Sequence, residues 1–182
     1  MKSETSPNYI RRLKMNEAQF CGWIKNSFPE EHIFKIPDPS NGSFAMTVKR
    51  VFDGIGMIEQ DGILHPLYWE AKYLPKAGAF NFNRIEPHQD KYLRIYKQIP
   101  GAVSYVIVGI DFGRSDKRVF IFDWNEDFGK LYAKGFSVHK KFLEKLPYNE
   151  VHKQKFELTN IITIQTLLDV YEVQSLEDLT QL

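Results

Sequence analysis

The sequence is poor in cysteine, in long apolar runs and in net charge. One cysteine, Cys21, occurs among the 182 residues, which excludes an internal disulfide and a zinc site built on several cysteines. No run of eighteen apolar residues is present, so we expect no membrane-spanning helix. The first twenty residues also lack the apolar segment of a secretory signal, and we therefore expect a cytoplasmic protein. A bound metal ion would be held mainly by oxygen atoms.

The formal net charge is only +1, but the charges are unevenly distributed along the chain. All 24 Lys and Arg residues lie in residues 1–155, whereas residues 156–182 carry five acidic residues and no basic residue. This asymmetry permits an anionic partner near the central region, although ordinary solvated surface charges are the more common explanation. The basic residues in question are Lys49, Arg50, Lys76, Arg84, Lys91, Arg94 and Lys97.

The remaining composition is that of a folded chain. Hydrophobic residues make up 43% and aromatic residues 14%, which is enough to bury a sizeable core. The length is typical of one domain, and the sequence contains no internal repeat. We therefore expect a single domain over residues 1–182, with a core over about 15–125 and a C-terminal extension over about 126–182.

Local signals predict an alternation of helices and strands. Asn16 and Gln19 form a potential capping box for a helix ending near Phe28, and Pro87 is suited to open a helix that continues to about Ile99. Hydrophobic patterns predict strands at residues 32–37, 45–58, 63–74, 103–111 and 118–124, and a C-terminal helix at 161–173. This order is typical of a mixed α/β sandwich with helices against a central sheet.

A tight turn is predicted between the second and third strands. Asp61-Gly62 is a strong signal for a two-residue type I′ hairpin, because both central positions of that turn need positive φ. This turn places Asp53 opposite Glu70, with Lys72 on the same face. Pro66 interrupts the third strand and cannot donate to the ladder. A bulge there would shift the register by one residue and move the carboxylates to opposite faces.

Two opposed carboxylates repel each other unless a cation lies between them. Mg²⁺ is the simplest candidate, because it takes oxygen ligands and often combines one or two carboxylates with substrate phosphates. Such an ion activates water for attack on a phosphodiester, and Lys72 would orient the water or stabilise the pentavalent state. An ordinary surface ladder with a Glu–Lys pair is the alternative. The apolar residues around the trio favour a buried site, where unpaired charge is costly.

The arrangement resembles the signature of the PD-(D/E)xK nuclease superfamily, here Phe52-Asp53 on one strand and Glu70-Ala71-Lys72 on the next. The continuation is similar to the RecU-type Holliday-junction resolvases, which include the penicillin-binding-protein-related factor A group. It consists of Trp69-Glu70-Ala71-Lys72, then Phe80-Asn81, then Ile85-x-x-His88-Gln89 at the start of a helix, and an apolar strand at 103–110. The resemblance covers about residues 30–125, and the C-terminal portion is distinct.

The resemblance implies a restriction-endonuclease-like three-layer α/β sandwich, in which helices flank a central mixed β-sheet. It implies catalytic roles for Asp53, Glu70, Lys72 and Gln89, and metal ligation by Asp53, Glu70, the Ala71 carbonyl and Glu17. Mg²⁺ is the expected metal, with Mn²⁺ as a substitute. We expect DNA contacts from Lys76, Arg84, His88, Lys91 and Arg94, although His88 also fits an ordinary residue in the first turn of a helix.

The sequence therefore predicts a metal-dependent DNA endonuclease that resolves Holliday junctions or other branched DNA in recombination or repair. The resemblance also implies a homodimer, and no membrane partner is expected. Two alternatives stay open: a restriction or phage-defence endonuclease that cuts ordinary duplex, and a non-catalytic DNA-binding module with the same fold. A junction resolvase should cleave a four-way junction in preference to linear duplex when Mg²⁺ is present, which neither alternative predicts.

Overall fold

The structure is a computed structural model that describes residues 15–29, 32–36, 51–113 and 115–181. Its helices are α1 (Glu17–Ser27), α2 (Pro87–Lys97), α3 (Glu126–Ala133), α4 (Lys140–Leu143), α5 (Ile164–Tyr171) and α6 (Leu176–Leu179). Its strands are β1 (Ile33–Lys35), β2 (Gly54–Gln60), β3 (Ile63–Leu74), β4 (Phe80–Asn81), β5 (Val103–Gly113), β6 (Asp116–Asp123), β7 (Ser137–Val138), β8 (Asn149–Glu150) and β9 (Ile161–Ile162). A short 3₁₀ turn, Phe82–Arg84, separates β4 from α2.

Within the described ranges, seven strands form one mixed sheet. Their order is β1-β2-β3-β5-β6-β8, and β9 pairs with β6 beside β8. The β3–β5 and β6–β9 pairs are parallel, and the other neighbours are antiparallel. Strands β4 and β7 form a separate two-stranded sheet. The structure thus confirms an α/β architecture with a mixed central sheet.

The two faces of the sheet are covered by different helices. On one face, α1 contributes Phe20 and Ile24 to a cluster with Trp69 and Ile107 of the sheet. On the other face, residues from α2, α3 and α5 pack with the strands around Phe82, Phe122 and Trp124. Helices on both faces of a sheet make the fold compatible with a three-layer α/β sandwich.

The predicted turn and its register are confirmed. Asp61 and Gly62 both adopt positive φ, at 52° and 75°, as a type I′ turn requires. The ladder continues without a shift from Gln60↔Ile63 to Gly54↔Trp69, so Pro66 introduces no bulge. The sequence signal at the turn therefore fixes which side chains of β3 face which residues of β2.

The predicted start of α1 is also confirmed. The Asn16 side chain accepts a hydrogen bond from the Gln19 backbone N–H, and the Gln19 side chain accepts one from the Asn16 backbone N–H. This reciprocal pair satisfies two backbone donors that a helix N-terminus leaves free. Apolar residues of α1 and its C-cap pack inward, since Phe20, Ile24 and Phe28 are buried and Trp23 is half-buried.

Several predicted boundaries are wrong. The strand predicted over 45–58 begins at Gly54, residues 51–53 form a bend, and residues 45–50 lie outside the described part of the chain. The helix predicted to reach Ile99 ends at Lys97, because a turn at 98–101 leads directly into β5. The C-terminal helix is shorter than predicted at both ends, because residues 161–162 pair with β6 as β9 and Glu172 ends α5 in the left-handed conformation.

The C-terminal extension contributes to the same core as the preceding elements. Ile162, Leu167 and Leu179 are fully buried in the cluster that contains Val108 and Phe122 of the central sheet. Burying a Leu or Ile side chain contributes roughly 1.5–3 kcal/mol to folding. None of the helices in the described ranges has the length and apolar character needed to span a membrane.

Candidate active site

Asp53 lies in the bend just before β2, one residue outside the ladder that positions Glu70. Its backbone carbonyl accepts a hydrogen bond from the Ile36 N–H at 2.8 Å, which extends the pairing of β1 with β2. Its side chain turns toward β3, where Oδ2 accepts a hydrogen bond from the Ala71 backbone N–H at 2.9 Å. The β2–β3 ladder thus ends at Gly54↔Trp69, one residue before the predicted Asp53–Glu70 pair, and Asp53 reaches β3 through its side chain.

Gly54 permits this bend to approach the sheet closely. A Cβ atom at Gly54 would lie 2.2 Å from the Trp69 ring and 2.5 Å from the Phe34 carbonyl oxygen. Side chains larger than hydrogen therefore cannot occupy the position without moving a buried Trp or the backbone of β1. The close approach of Gly54 to Trp69 holds the neighbouring Asp53 against β3.

Glu70 and Lys72 form a buried ion pair on β3. The Lys72 Nζ donates to Glu70 Oε1 at 2.6 Å, and the two residues are 7% and 1% exposed. Gln89 of α2 completes the group, because its Nε2 donates to the same Glu70 oxygen at 2.8 Å. The second oxygen, Glu70 Oε2, is buried and accepts no hydrogen bond. A buried carboxylate oxygen without a partner is costly and invites a cation.

The N-terminus of α2 sets the orientation of Gln89. Its Oε1 accepts a hydrogen bond from the Glu86 backbone N–H at 2.9 Å and faces Lys72 Nζ at 3.3 Å. The amide is therefore oriented with its Nε2 toward Glu70. Pro87 at the first helical position and Gln89 two residues later are the sequence signal for this arrangement.

Burial and like charge act together on Glu70. Burial, with a smaller effect from the negative charge of Asp53, raises the pKa of Glu70 to about 8. Burial also lowers the pKa of Lys72, but the adjacent Glu70 outweighs this effect and the net pKa of Lys72 is raised. Burial and the nearby Asp53 carboxylate disfavour ionisation of Glu70. A cation bound beside Glu70 would favour its charged form.

The donor set fits a hard divalent cation held by two acids. Asp53 and Glu70 supply carboxylate oxygens, and Glu70 Oε2 has no other partner. The N–H and C=O of one strand residue point to the same edge, so the Ala71 carbonyl points toward the side occupied by Asp53. Mg²⁺ commonly retains several waters and needs only one or two carboxylates from the protein.

Glu17 does not join these acids in a three-carboxylate set. Among the described residues, no group of three or more His, Cys, Asp or Glu side chains is arranged to hold a metal ion. Glu17 is near enough for its charge to raise the pKa of both Glu70 and Lys72. Its predicted role as a metal ligand stays a prediction.

The predicted DNA-contacting residues fall into two classes. Lys76, Arg84 and Lys91 are exposed, and the Arg84 Nη2 donates to the Tyr73 carbonyl at 3.2 Å, one residue beyond Lys72. Arg94, by contrast, is held in ion pairs to Asp90 and Glu126 at 2.8 and 2.9 Å. Its guanidinium therefore has a structural role that the sequence did not indicate.

His88 and the remaining basic residues have partners of their own. His88 Nδ1 lies 3.4 Å from Glu86 Oε2, which matches a residue packed in the first turn of a helix. Lys97 Nζ lies 2.7 Å from Asp123 Oδ1. Lys49 and Arg50 lie outside the described residues. Of the basic residues predicted near the central region, Arg84 is thus the one with a described contact to the strand that carries Lys72.

The aromatic residues that precede α2 and lie along it are mostly core residues. Phe80 and Phe82 are fully buried in the cluster on the α2 face of the sheet. Tyr96 stacks on Tyr68 with ring centroids 4.4 Å apart, and Tyr92 is half-buried. These positions indicate that the aromatic side chains pack in the core and do not form a surface for stacking bases.

No protein-family model matches the chain, and no curated protein is significantly similar to it in sequence.

Proposed function

We propose that this protein is a divalent-metal-dependent endonuclease that hydrolyses phosphodiester bonds in DNA, with branched or junction DNA as its substrate. The observation that carries the proposal is the buried Glu70 carboxylate, which has one unpartnered oxygen, a second carboxylate nearby and a lysine amine at 2.6 Å. A restriction-endonuclease-like fold, a homodimer and a cytoplasmic location belong to the same proposal and rest on the motif resemblance.

Each residue has a distinct task in this proposal. Asp53 and Glu70 bind the cation, and the Ala71 carbonyl adds a neutral oxygen ligand. Lys72 positions the attacking water and stabilises negative charge that develops on the phosphoryl oxygens. Gln89 holds Glu70 and Lys72 in place, because its amide contacts both side chains. A bound Mg²⁺ supplies Lewis acidity and lowers the pKa of water at the site.

Cleavage assays on matched variants test the proposal. Lys72→Ala and Glu70→Gln are expected to lower the rate at least about 10³-fold, or about 4 kcal/mol of transition-state stabilisation, because Lys72 stabilises developing charge and Glu70 holds the cation. Lys130→Ala and Glu150→Gln serve as controls of the same chemistry on exposed side chains. Rates are measured on a labelled four-way junction with Mg²⁺. A Lys72→Ala rate within a few-fold of wild type contradicts the assignment.

The substrate class is tested separately from the chemistry. We expect wild-type protein with Mg²⁺ to cut a four-way junction faster than a linear duplex of the same sequence. Equal cleavage of both substrates favours a duplex endonuclease. Binding without cleavage in either Mg²⁺ or Mn²⁺ favours a non-catalytic DNA-binding module.

A further inference from the structure

A basic cleft lies outside the candidate active site, between the end of α3, β7, α4 and the C-terminal helices. Its volume is about 680 Å³, and we define the basic cleft by Lys134, His139, Lys140, Lys141, Phe142 and Tyr171. Four of these six residues are basic, and none of the described residues that line the cavity is acidic. Helix α6 contributes Leu179 to the wall, while its acidic side chains lie elsewhere.

The cations of the basic cleft are largely uncompensated. Among the described residues, no carboxylate lies within ion-pairing distance of Lys134 or Lys141. Lys140 has one partner, Glu144, at 3.6 Å, and both side chains are about half exposed. Such exposed pairs contribute about 0–1 kcal/mol and exchange readily for a stronger anion.

Two stacked aromatic side chains line the basic cleft. Phe142 and Tyr171 stack on each other with ring centroids 3.7 Å apart. The ammonium group of Lys141 lies 4.6 Å from the centre of the Phe142 ring, a cation–π contact that places it at the rim. Because the two rings already cover each other, the cleft presents cations rather than an open stacking platform. Contacts of this kind suit phosphate groups and carry no base specificity.

Short contacts connect the basic cleft to the candidate active site. Gly135 adjoins Lys134, and a Cβ atom there would lie 3.5 Å from the Asn83 side-chain amide. Arg84, the next residue, donates to the Tyr73 carbonyl directly after Lys72. The pairing of β7 with β4 and the bond from the Phe82 N–H to the Phe136 carbonyl at 3.0 Å fix this junction. Exposed cations thus occur at Arg84 and Lys134, and Arg84 bonds to the strand that carries the buried Lys72.

We propose that the basic cleft binds the phosphodiester backbone of DNA that flanks the cleaved bond, with Arg84 between the cleft and Lys72. This inference rests on the proposed function and deepens it by assigning the surface that holds the flanking DNA. A polymer fits better than a small anion, because the cations are spread around a wide cleft and continue toward the active site through Arg84.

The test compares two triple variants that remove the same number of lysines. Lys134→Gln, Lys140→Gln and Lys141→Gln together remove cations from the basic cleft. Lys25→Gln, Lys153→Gln and Lys155→Gln together remove three exposed lysines from α1 and the turn after β8. Binding to a fluorescent duplex is measured by anisotropy in EDTA, over a series of salt concentrations, so that cleavage does not enter the measurement.

We expect the cleft variant to bind the duplex at least about tenfold more weakly than wild type near 0.1 M salt. Its salt slope should fall by about 2–3, because each lost phosphate contact lowers the slope by about 0.9. The control variant should keep most of the wild-type slope. Equal slopes for the two triple variants overturn the inference, and so does wild-type protein that binds RNA duplex but not DNA.

The outcome is separable from that of the proposed function. Lysine-dependent binding by a wild-type protein that never cleaves DNA supports the basic cleft and refutes the nuclease. Magnesium-dependent cleavage by wild type, together with a cleft variant whose affinity and salt slope equal those of wild type, supports the nuclease and refutes the cleft.

Discussion

Glu70 and Asp90 are two buried carboxylates with opposite hydrogen-bonding situations. Asp90 is 4% exposed, and its oxygens accept hydrogen bonds from the Arg94 guanidinium and from Trp124 Nε1 at 2.8–3.2 Å. Glu70 is 1% exposed, and only one of its oxygens has donors. Asp90 therefore has donors on both oxygens, whereas Glu70 keeps one oxygen without a donor.

The difference separates a structural ion pair from a candidate binding site. The Asp90 group joins α2 to α3 through Arg94 and Glu126 and leaves no acceptor of Asp90 without a donor. In the Glu70 group, Oε2 has no hydrogen-bond donor. A buried acceptor of this kind is typical of a site where a ligand supplies the missing interaction. The buried acid of α2, Asp90, therefore serves the packing of the fold, whereas the buried acid of β3, Glu70, is available to a ligand.

Replacing each carboxylate by its amide is the strongest way to break the comparison. Asp90→Asn is expected to lower the free energy of unfolding by about 2–4 kcal/mol, because an amide N–H₂ faces the donors of Arg94 and Trp124. Glu70→Gln is expected to cost less than about 1 kcal/mol near pH 7, because a pKa raised to about 8 keeps the metal-free Glu70 carboxyl largely protonated there, and the amide oxygen keeps the donors of Oε1. Urea denaturation of both variants measures the difference. A larger loss for Glu70→Gln would reverse our interpretation.

Divalent cations should act on one of the two sites only. Saturating Mg²⁺ is expected to stabilise wild-type protein by about 1–3 kcal/mol, because a ligand that binds only the native state shifts the folding equilibrium. Asp90→Asn should retain this gain relative to its own metal-free state, and Glu70→Gln should lose it. Thermal unfolding with and without Mg²⁺ provides the measurement. An equal gain in Glu70→Gln would place the cation elsewhere.

The pH dependence of stability is the most specific test, because it follows the ionisation of a single carboxyl group. The native pKa of Glu70 is raised from 4.5 to about 8, so between these values the native state binds more protons than the unfolded state. The contribution of Glu70 is therefore fully present below pH 4.5 and is lost as the pH rises through about 8. The metal-free wild type should lose up to about 1.4 kcal/mol per pH unit in this interval relative to Glu70→Gln.

Denaturation curves at several pH values in EDTA test this expectation. If the difference between wild type and Glu70→Gln is independent of pH, Glu70 ionises normally in the native protein, and burial does not control it. The same series with Asp90→Asn isolates the contribution of the other buried carboxylate.

The sequence was sufficient for local structure at the hairpin and at the helix starts. Asp61-Gly62 needs no tertiary context to favour a type I′ turn, and the turn then sets the register from Gln60 to Gly54. Capping by Asn16 and the Pro87 start of α2 are equally local, and both occur as predicted. Because the register determines which residues face each other, Glu70, Lys72 and the region of Asp53 were brought together correctly from the sequence.

The sequence was insufficient where long-range contacts decide. The strand predicted over 45–58 includes Asp53. In the structure the strand begins at Gly54, which packs closely against Trp69 and Phe34, and Asp53 lies in a bend. The short strands β7, β8 and β9 carry little periodic signal, since each has two residues and exists through pairing with a distant partner. The pairing of Arg94 with Glu126 spans 32 positions and has no sequence signal, whereas its pair with Asp90 follows the i,i+4 spacing of a helix.

The amino-acid order alone determined the turn, the helix caps and the pairing of β2 with β3, because these depend on backbone preferences and hydrogen bonds between residues close in the chain. Only the tertiary structure decided which buried acid is satisfied and which is not. Burial and hydrogen bonding are properties of the packed environment, and Asp90 and Glu70 acquire theirs from Trp124, Arg94 and Gln89 after the sheet and helices come together.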